Sequence, residues 1–299
     1  MENLRGSMIM VLAMAGFALE DLFIKRLAES LPVGQIIMFL GFGGALVFGA
    51  VTRLQGRRLW TRDLATRAVI LRNLGELIGT LGFVTAIALT PLSSASAILQ
   101  ATPLAVTLGA ALFFREAVGW KRWSAILVGF GGVLMVIRPG LEGFEPASLF
   151  AVQAVIGLAI RDLATRAVPR TISSMQLSTY AFATLVPTGL ILLAVGGTPS
   201  QPSALAWRDL ALALTFALAA YYAIVAAMRL GDVAVITPFR YSRLIFALII
   251  GVTVFDERPD IWTLAGAAII IASGLFTFWR ERRLARRIAT PSAPLAPRG

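Results

Sequence analysis

Gly16-Phe-Ala-Leu-Glu-Asp-Leu22 recurs 141 residues further on as Gly157-Leu-Ala-Ile-Arg-Asp-Leu163. The match continues at the same offset: Lys25 falls on Arg166, Gln35 on Gln176 and Glu116 on Glu257. After a one-residue slip, Trp120 falls on Trp262 and Gly132 on Gly274. The preserved order and near-constant spacing indicate a duplication, with one copy over residues 1–140 and the second over 141–280. Residues 281–299 form a basic tail, rich in Pro and Ala towards its end, which is expected to be disordered.

Each copy is apolar enough to be read as membrane-embedded. The chain of 299 residues is 58% hydrophobic and 14% charged, whereas a soluble domain runs near about 45–50% and about 25%. A crossing helix needs about 20 mainly apolar residues. Ten such segments follow one another, over 7–28, 33–52, 65–89, 92–114, 120–138, 146–168, 173–195, 207–229, 232–255 and 260–279. The fold class expected is an all-α polytopic membrane protein. Arg5 followed by an apolar run and Ala13-Met-Ala15 resembles a secretion signal, but the equivalent helix of the second copy argues for a retained span.

The net charge of +11 fits this picture better than a nucleic-acid partner. With the N-terminus placed inside, 19 of the 27 Lys and Arg fall on the cytoplasmic side and five on the other, while Arg72, Arg240 and Arg243 lie within spans. That bias is the usual one for membrane helices, and it requires an even number of crossings. Five spans per copy is odd, so the second copy must enter from the opposite face. Inverted repeats of this kind are characteristic of secondary transporters, in which the halves rock about a site near the midplane.

The chain contains no Cys and no His. A Ser–His–Asp triad, a thiolate nucleophile and the usual zinc or haem ligation are therefore excluded. No phosphate-binding loop is present, since Gly41-Phe-Gly-Gly-Ala and Gly129-Phe-Gly-Gly lie inside apolar spans and suit close helix packing. No cofactor and no metal are expected.

The pattern resembles the EamA-type transporters of the drug/metabolite transporter superfamily. It is carried by Gly16…Asp21…Lys25, by Leu112-Phe-Phe-Arg-Glu116, and by Pro238-Phe-Arg-Tyr-Ser-Arg-Leu-Ile-Phe-Ala…Gly251-Val-Thr-Val-Phe-Asp-Glu257-Arg-Pro-Asp…Gly266…Gly274, over roughly residues 5–280. The branch it is most similar to is that of bacterial inner-membrane exporters of amino acids, aromatic ones included. The resemblance implies ten helices in two inverted five-helix repeats around a cavity lined mainly by spans 1, 3, 4, 6, 8 and 9. Asp256 departs from the family pattern, in which Gly is frequent before the glutamate.

Charge within a span costs at least about 2.5–3.5 kcal/mol at mid-helix, so the charged positions are the candidates for function. Arg72, Asn73 and Glu76 lie in span 3. Arg72 and Glu76, four apart, can pair on one face, and Glu76 is placed either to bind a substrate amine or proton or to hold helices together. Arg240, Tyr241 and Arg243 lie in span 9. Their guanidiniums suit a carboxylate or phosphate, a pairing with Glu76, or the carbonyls freed by Pro238. Glu20–Asp21 with Lys25, and Arg161–Asp162 with Arg166, occupy matched places in the two copies. They are read as ionic locks at opposite mouths, with Asp21, Lys25, Asp162 and Arg166 as the gating residues. Ser96, Gln100, Thr102, Tyr221 and Tyr222 offer polar or aromatic cavity walls, or hydrogen bonds between helices. Pro103 and Pro238 free backbone carbonyls inside spans 4 and 9 and are expected to kink them for gating, and Glu116 and Glu257 to cap the hairpins that follow.

The function expected from these features is secondary transport of a small metabolite by alternating access, with export of amino acids or related amphipathic compounds favoured. The alternatives are an exporter of drugs or nucleotide-type solutes, an intramembrane lipid-modifying enzyme, and a channel or receptor. The partners expected are the lipid bilayer and a small-molecule substrate, with the single chain as the working unit. The location expected is a bacterial inner membrane, with both termini cytoplasmic.

Overall fold

The computed structural model describes residues 2–115, 119–141, 143–169, 171–196, 198–230 and 233–289. Glu116 and residues 290–299 of the tail lie outside the described residues. Twelve α-helices are described: α1 (Glu2–Leu27), α2 (Val33–Leu54), α3 (Arg67–Leu89), α4 (Leu92–Leu99), α5 (Thr102–Phe113), α6 (Trp120–Ile137), α7 (Leu149–Thr165), α8 (Ser174–Gly196), α9 (Ala204–Leu230), α10 (Val233–Ile236), α11 (Ser242–Val254) and α12 (Ile261–Ala289). They build ten segments long and apolar enough to cross a bilayer. α4 and α5 share the fourth segment, while α11 and the 3-10 turn Thr237–Tyr241 make up the ninth. α12 stays helical to Ala289, past the boundary expected for a disordered tail.

Four antiparallel helix pairs form the body. In α2 and α8, Gly34 meets Gly189 while Gly49 meets Thr179, so the two run in opposite directions. In α6 and α12, Gly129 meets Ser273 while Gly132 meets Gly266. These are the second and fifth spans of each copy, paired with their own counterparts. Only a two-fold axis in the membrane plane leaves equivalent helices antiparallel, so the halves are inverted. The same axis exchanges the remaining pairs. α1 packs on α9 through Gly16 and Ala220, and α3 packs on α7 through Gly79 and Gly157.

The pairing chemistry suits a bilayer. Lipid is as apolar as Leu, so helices associate through close van der Waals contact at small residues. The glycine strings noted in the sequence behave accordingly. Gly41 and Gly44 receive Leu185 and Phe182 of α8, and Gly129 receives Leu104 of α5.

The repeat also shows in the loops. Gln35, at the start of α2, donates to the Ser200 carbonyl at 2.7 Å and accepts from its N–H at 3.0 Å. Its counterpart Gln176 donates to the Arg58 carbonyl at 2.8 Å. At the two hairpin turns, Arg115 (φ 54°) and Asp256 (φ 51°) occupy corresponding left-handed positions. This explains the frequency of Gly there in the family pattern, and Asp is among the residues that tolerate such a backbone.

Candidate functional site

The fourth and ninth spans are both interrupted, at positions that match under the repeat. α4 ends at Leu99 and α5 begins at Thr102, with Pro103 in its first turn. In the ninth span, Pro238 lies in the 3-10 turn Thr237–Tyr241, and α11 starts at Ser242. Pro lacks an N–H and frees a carbonyl within the helix. Gln100 bridges the two breaks, donating to the Tyr241 carbonyl at 3.1 Å and approaching the Arg240 carbonyl at 3.5 Å. Interrupted helices of this kind form binding regions in transporters, because their unpaired backbone must line a cavity or be covered by protein.

Charged side chains from both halves gather around this point. Asp21, 1% exposed, receives Arg243 of α11 in a bidentate pair, with Nη2 at 2.7 Å and 2.8 Å and Nε at 3.1 Å. The guanidinium lies against the rings of Phe17 and Phe83, with 5.2 Å and 5.1 Å to the centroids. Glu76 sits between two guanidiniums, with Arg72 of its own helix at 3.3 Å and Arg161 of α7 at 3.4 Å. Arg161 also holds Asp162 at 2.7 Å. Arg72 donates to Asn73 and to the Leu177 carbonyl, both at 3.2 Å.

Arg240 differs from these. Its guanidinium makes no direct ion pair among the described residues, although it interacts electrostatically with Asp162, Arg161 and Arg243. Its side chain is exposed, next to the backbone carbonyl that Gln100 approaches. Tyr221 of α9 packs where α2 and α8 meet. Its hydroxyl accepts from Ser178 at 2.8 Å, its ring meets Phe48 edge-on at 5.1 Å, and it interacts electrostatically with Arg72.

At the membrane face opposite the N-terminus of α1, Glu257 bridges the halves. It lies in the turn after α11 and accepts from the Leu92 and Ser93 N–H groups and from the Ser93 hydroxyl, at 2.7 Å for the last. It thereby caps α4 of the other half, where free N–H groups and the helix dipole favour an anion. Lys25 approaches Glu257 at 3.7 Å and donates to the Ile87 and Thr90 carbonyls at 3.1 Å and 2.7 Å, at the end of α3. Arg138 pairs with Asp260 beside it. Burial pushes the Asp260 carboxyl up, but hydrogen bonds from Thr263 and the Arg138 guanidinium outweigh this and hold it below its ordinary value.

Several expectations need correction. Asp21 pairs with Arg243, not with Lys25, because Lys25 sits one turn further along and reaches the end of α3 instead. The partners described for Asp162 and Glu76 centre on Arg161, a residue considered in the sequence only as part of a lock. Arg243 is committed to Asp21 and does not reach Glu76. Tyr241, 5% exposed, is packed against α12, where its hydroxyl occupies the place a Cβ would take at Gly274. Only its carbonyl faces Gln100. Tyr222 is 74% exposed, two residues from Ala220 and so on the face of α9 turned away from α1. Ser96 is 2% exposed, and its hydroxyl lacks a partner among the described residues. Thr102 donates to the Leu99 carbonyl within the break at 2.6 Å. Glu257 does more than close its hairpin. Ser93 escaped notice in the sequence, though Pro91 just before it marks a helix start that needs an acceptor.

The EamA-like transporter family model matches residues 4–138 and 146–279, one match per half. The chain is 25% identical over 286 residues to an S-adenosylmethionine uptake transporter of Rickettsia conorii, covering 93% of each protein. It is 30% identical over 197 residues to a riboflavin transporter of Vibrio cholerae, covering 66% of each. It is 26% identical over 280 residues to a pseudopaline exporter of Pseudomonas aeruginosa, covering 90% of this chain and 94% of that protein. A solved crystal structure shares the fold with a TM-score of 0.59 at 17% identity, over 96% of this chain and 99% of its own. These relatives are named as transporters, not enzymes, and the two family matches coincide with the two inverted halves. The chain is a multi-pass membrane protein that belongs to the EamA-like transporter family.

Proposed function

We propose that this protein is a secondary carrier that exports an amino acid or amino-acid-derived metabolite across a bacterial inner membrane, with both termini in the cytoplasm. The observation that carries this reading is Arg240, an accessible guanidinium without a direct ion pair among the described residues, set where the two interrupted helices meet. It suits a substrate carboxylate. Glu76 and Asp162, held by Arg161, offer acceptors for a substrate amine, while Asn73, Gln100 and Tyr221 supply neutral polar contacts. Rocking of the halves exposes this site to alternate faces. Lys25 and Glu257 hold the periplasmic mouth shut, and Asp162 and Arg166 belong to the cytoplasmic side. The S-adenosylmethionine relatives support the substrate class, because that compound is an amino-acid derivative with both a carboxylate and cationic groups. The riboflavin relatives favour a second reading, a solute with a large flat heterocycle.

The test is flux of labelled substrates into liposomes carrying the purified protein, with a panel of amino acids, their decarboxylated amines, S-adenosylmethionine and riboflavin as competitors. Saturable flux inhibited by the acids is expected. A charge-assisted hydrogen bond contributes about 1.5–3 kcal/mol, so Arg240→Ala is expected to weaken competition by the acids about 10- to 100-fold. Competition by the amines should hardly change. No saturable flux for any compound of the panel would refute the reading, and competition by riboflavin alone would favour the second.

A further inference from the structure

Glu20 stands apart from every other carboxylate of the central cluster. Asp21, Glu76 and Asp162 each have an arginine within 3.5 Å. Glu20 has neither a hydrogen bond nor a cation within 4 Å among the described residues, and it is only partly accessible. It lies on α1 between Gly16, which meets Ala220 of α9, and Phe23, which stacks on Phe216 of α9 at 5.8 Å. The helix on that side brings it apolar groups.

The charged groups on the neighbouring elements are engaged elsewhere. On its own helix, Asp21 repels it and Lys25 is held at Glu257 and the end of α3. Arg243 of α11 acts on it at longer range but is committed to both oxygens of Asp21. On α3, Arg72 and Glu76 pair with each other, and Phe83 stands against Arg243. Arg240 of the 3-10 turn acts on Asp162, Arg161 and Arg243. On α9, Tyr221 is bound to Ser178, while Arg208 and Asp209 lie together at the far end with Arg26.

A carboxylate largely shielded from water among apolar groups, with no countercharge in contact, lowers its cost by binding a proton. We infer that Glu20 is a proton-binding site of the carrier, holding one proton as the neutral acid in the conformation described here. When the halves rock and water reaches α1, the O–H bond breaks, the proton passes to water and the carboxylate is left hydrated. Glu20 thereby takes the role of proton carrier that the sequence alone suggested for Glu76. The inference rests on the carrier reading for its use in transport, but not for the protonation itself.

Infrared spectroscopy of the lipid-reconstituted protein at neutral pH tests it, through the carbonyl stretch of a protonated carboxyl group. The wild type is expected to show this band and to lose it as the pH is raised. Glu20→Gln, which mimics the neutral acid and should fold normally, is expected to remove it. Glu76→Gln is expected to leave it. Glu20→Asp, a second variant that keeps the acid, is expected to retain a band at a shifted position. Absence of the band in the wild type, or its survival in Glu20→Gln, would overturn the inference. No solute flux is needed for this readout, so a protein that transports nothing from the panel can still show the band, and an active carrier can lack it.

Discussion

Arg243→Ala is expected to abolish transport and to destabilise the protein by about 3–5 kcal/mol, the cost typical of removing one partner from a buried ion pair. Asp21 would be left 1% exposed without the one cation that pairs with it among the described residues. The faces of Phe17 and Phe83 would lose the guanidinium between them. Because the pair joins α1 of one half to α11 of the other, the loss should loosen the seam between the halves. Thermal unfolding in detergent, followed by tryptophan fluorescence, measures this. The double variant Asp21→Asn with Arg243→Gln, which removes both charges, is expected to recover much of the stability but none of the transport. A single variant as stable as the wild type would show that the pair does not join the halves.

Gly157→Leu should be equally damaging for a different reason. A Cβ at this position would run into the backbone of Gly79 and Ile78 in α3. Overpacking usually costs about 1–3 kcal/mol where side chains can yield. Backbone cannot yield without separating α3 from α7, and separation would pull Arg161 away from Glu76. Loss of the monodisperse peak in size-exclusion chromatography is the expected outcome. Gly131→Leu is the control: no atom lies within 4 Å of the Cβ it would carry, and it should elute as the wild type does. Identical behaviour of the two variants would contradict the packing described.

The ten spans, the duplication and the proline sites at which spans 4 and 9 depart from a straight helix were legible in the sequence because each has a local signature. A run of apolar residues has a length, a proline removes an N–H, and a repeat keeps its offset. Partner choice has no such signature. Asp21 finds Arg243 across 222 positions, and Lys25 finds the turn after α11, through helix rotations that only the assembled halves determine. Orientation of a side chain was just as hard to read. Lipid and protein interior are both apolar, so a membrane helix need not show a polar outer face. Tyr221 and Tyr222 are neighbours with nearly the same chemistry, yet one meets Ser178 and Phe48 and the other faces outwards. Tyr241 was misplaced for the same reason, since nothing local shows that Gly274 leaves space for its hydroxyl.

The most direct test of alternating access is a distance across the mouth that Lys25 and Glu257 are proposed to hold shut. The chain has no Cys, so spin labels can be placed at Ser30→Cys and Arg258→Cys without removing native thiols. Both positions are exposed, in the turns after α1 and α11. Double electron–electron resonance in liposomes is expected to give two distances, with the longer one gaining population when Glu257→Gln releases the cap on α4. A single distance, the same in the wild type, in the variant and during turnover, would contradict the mechanism.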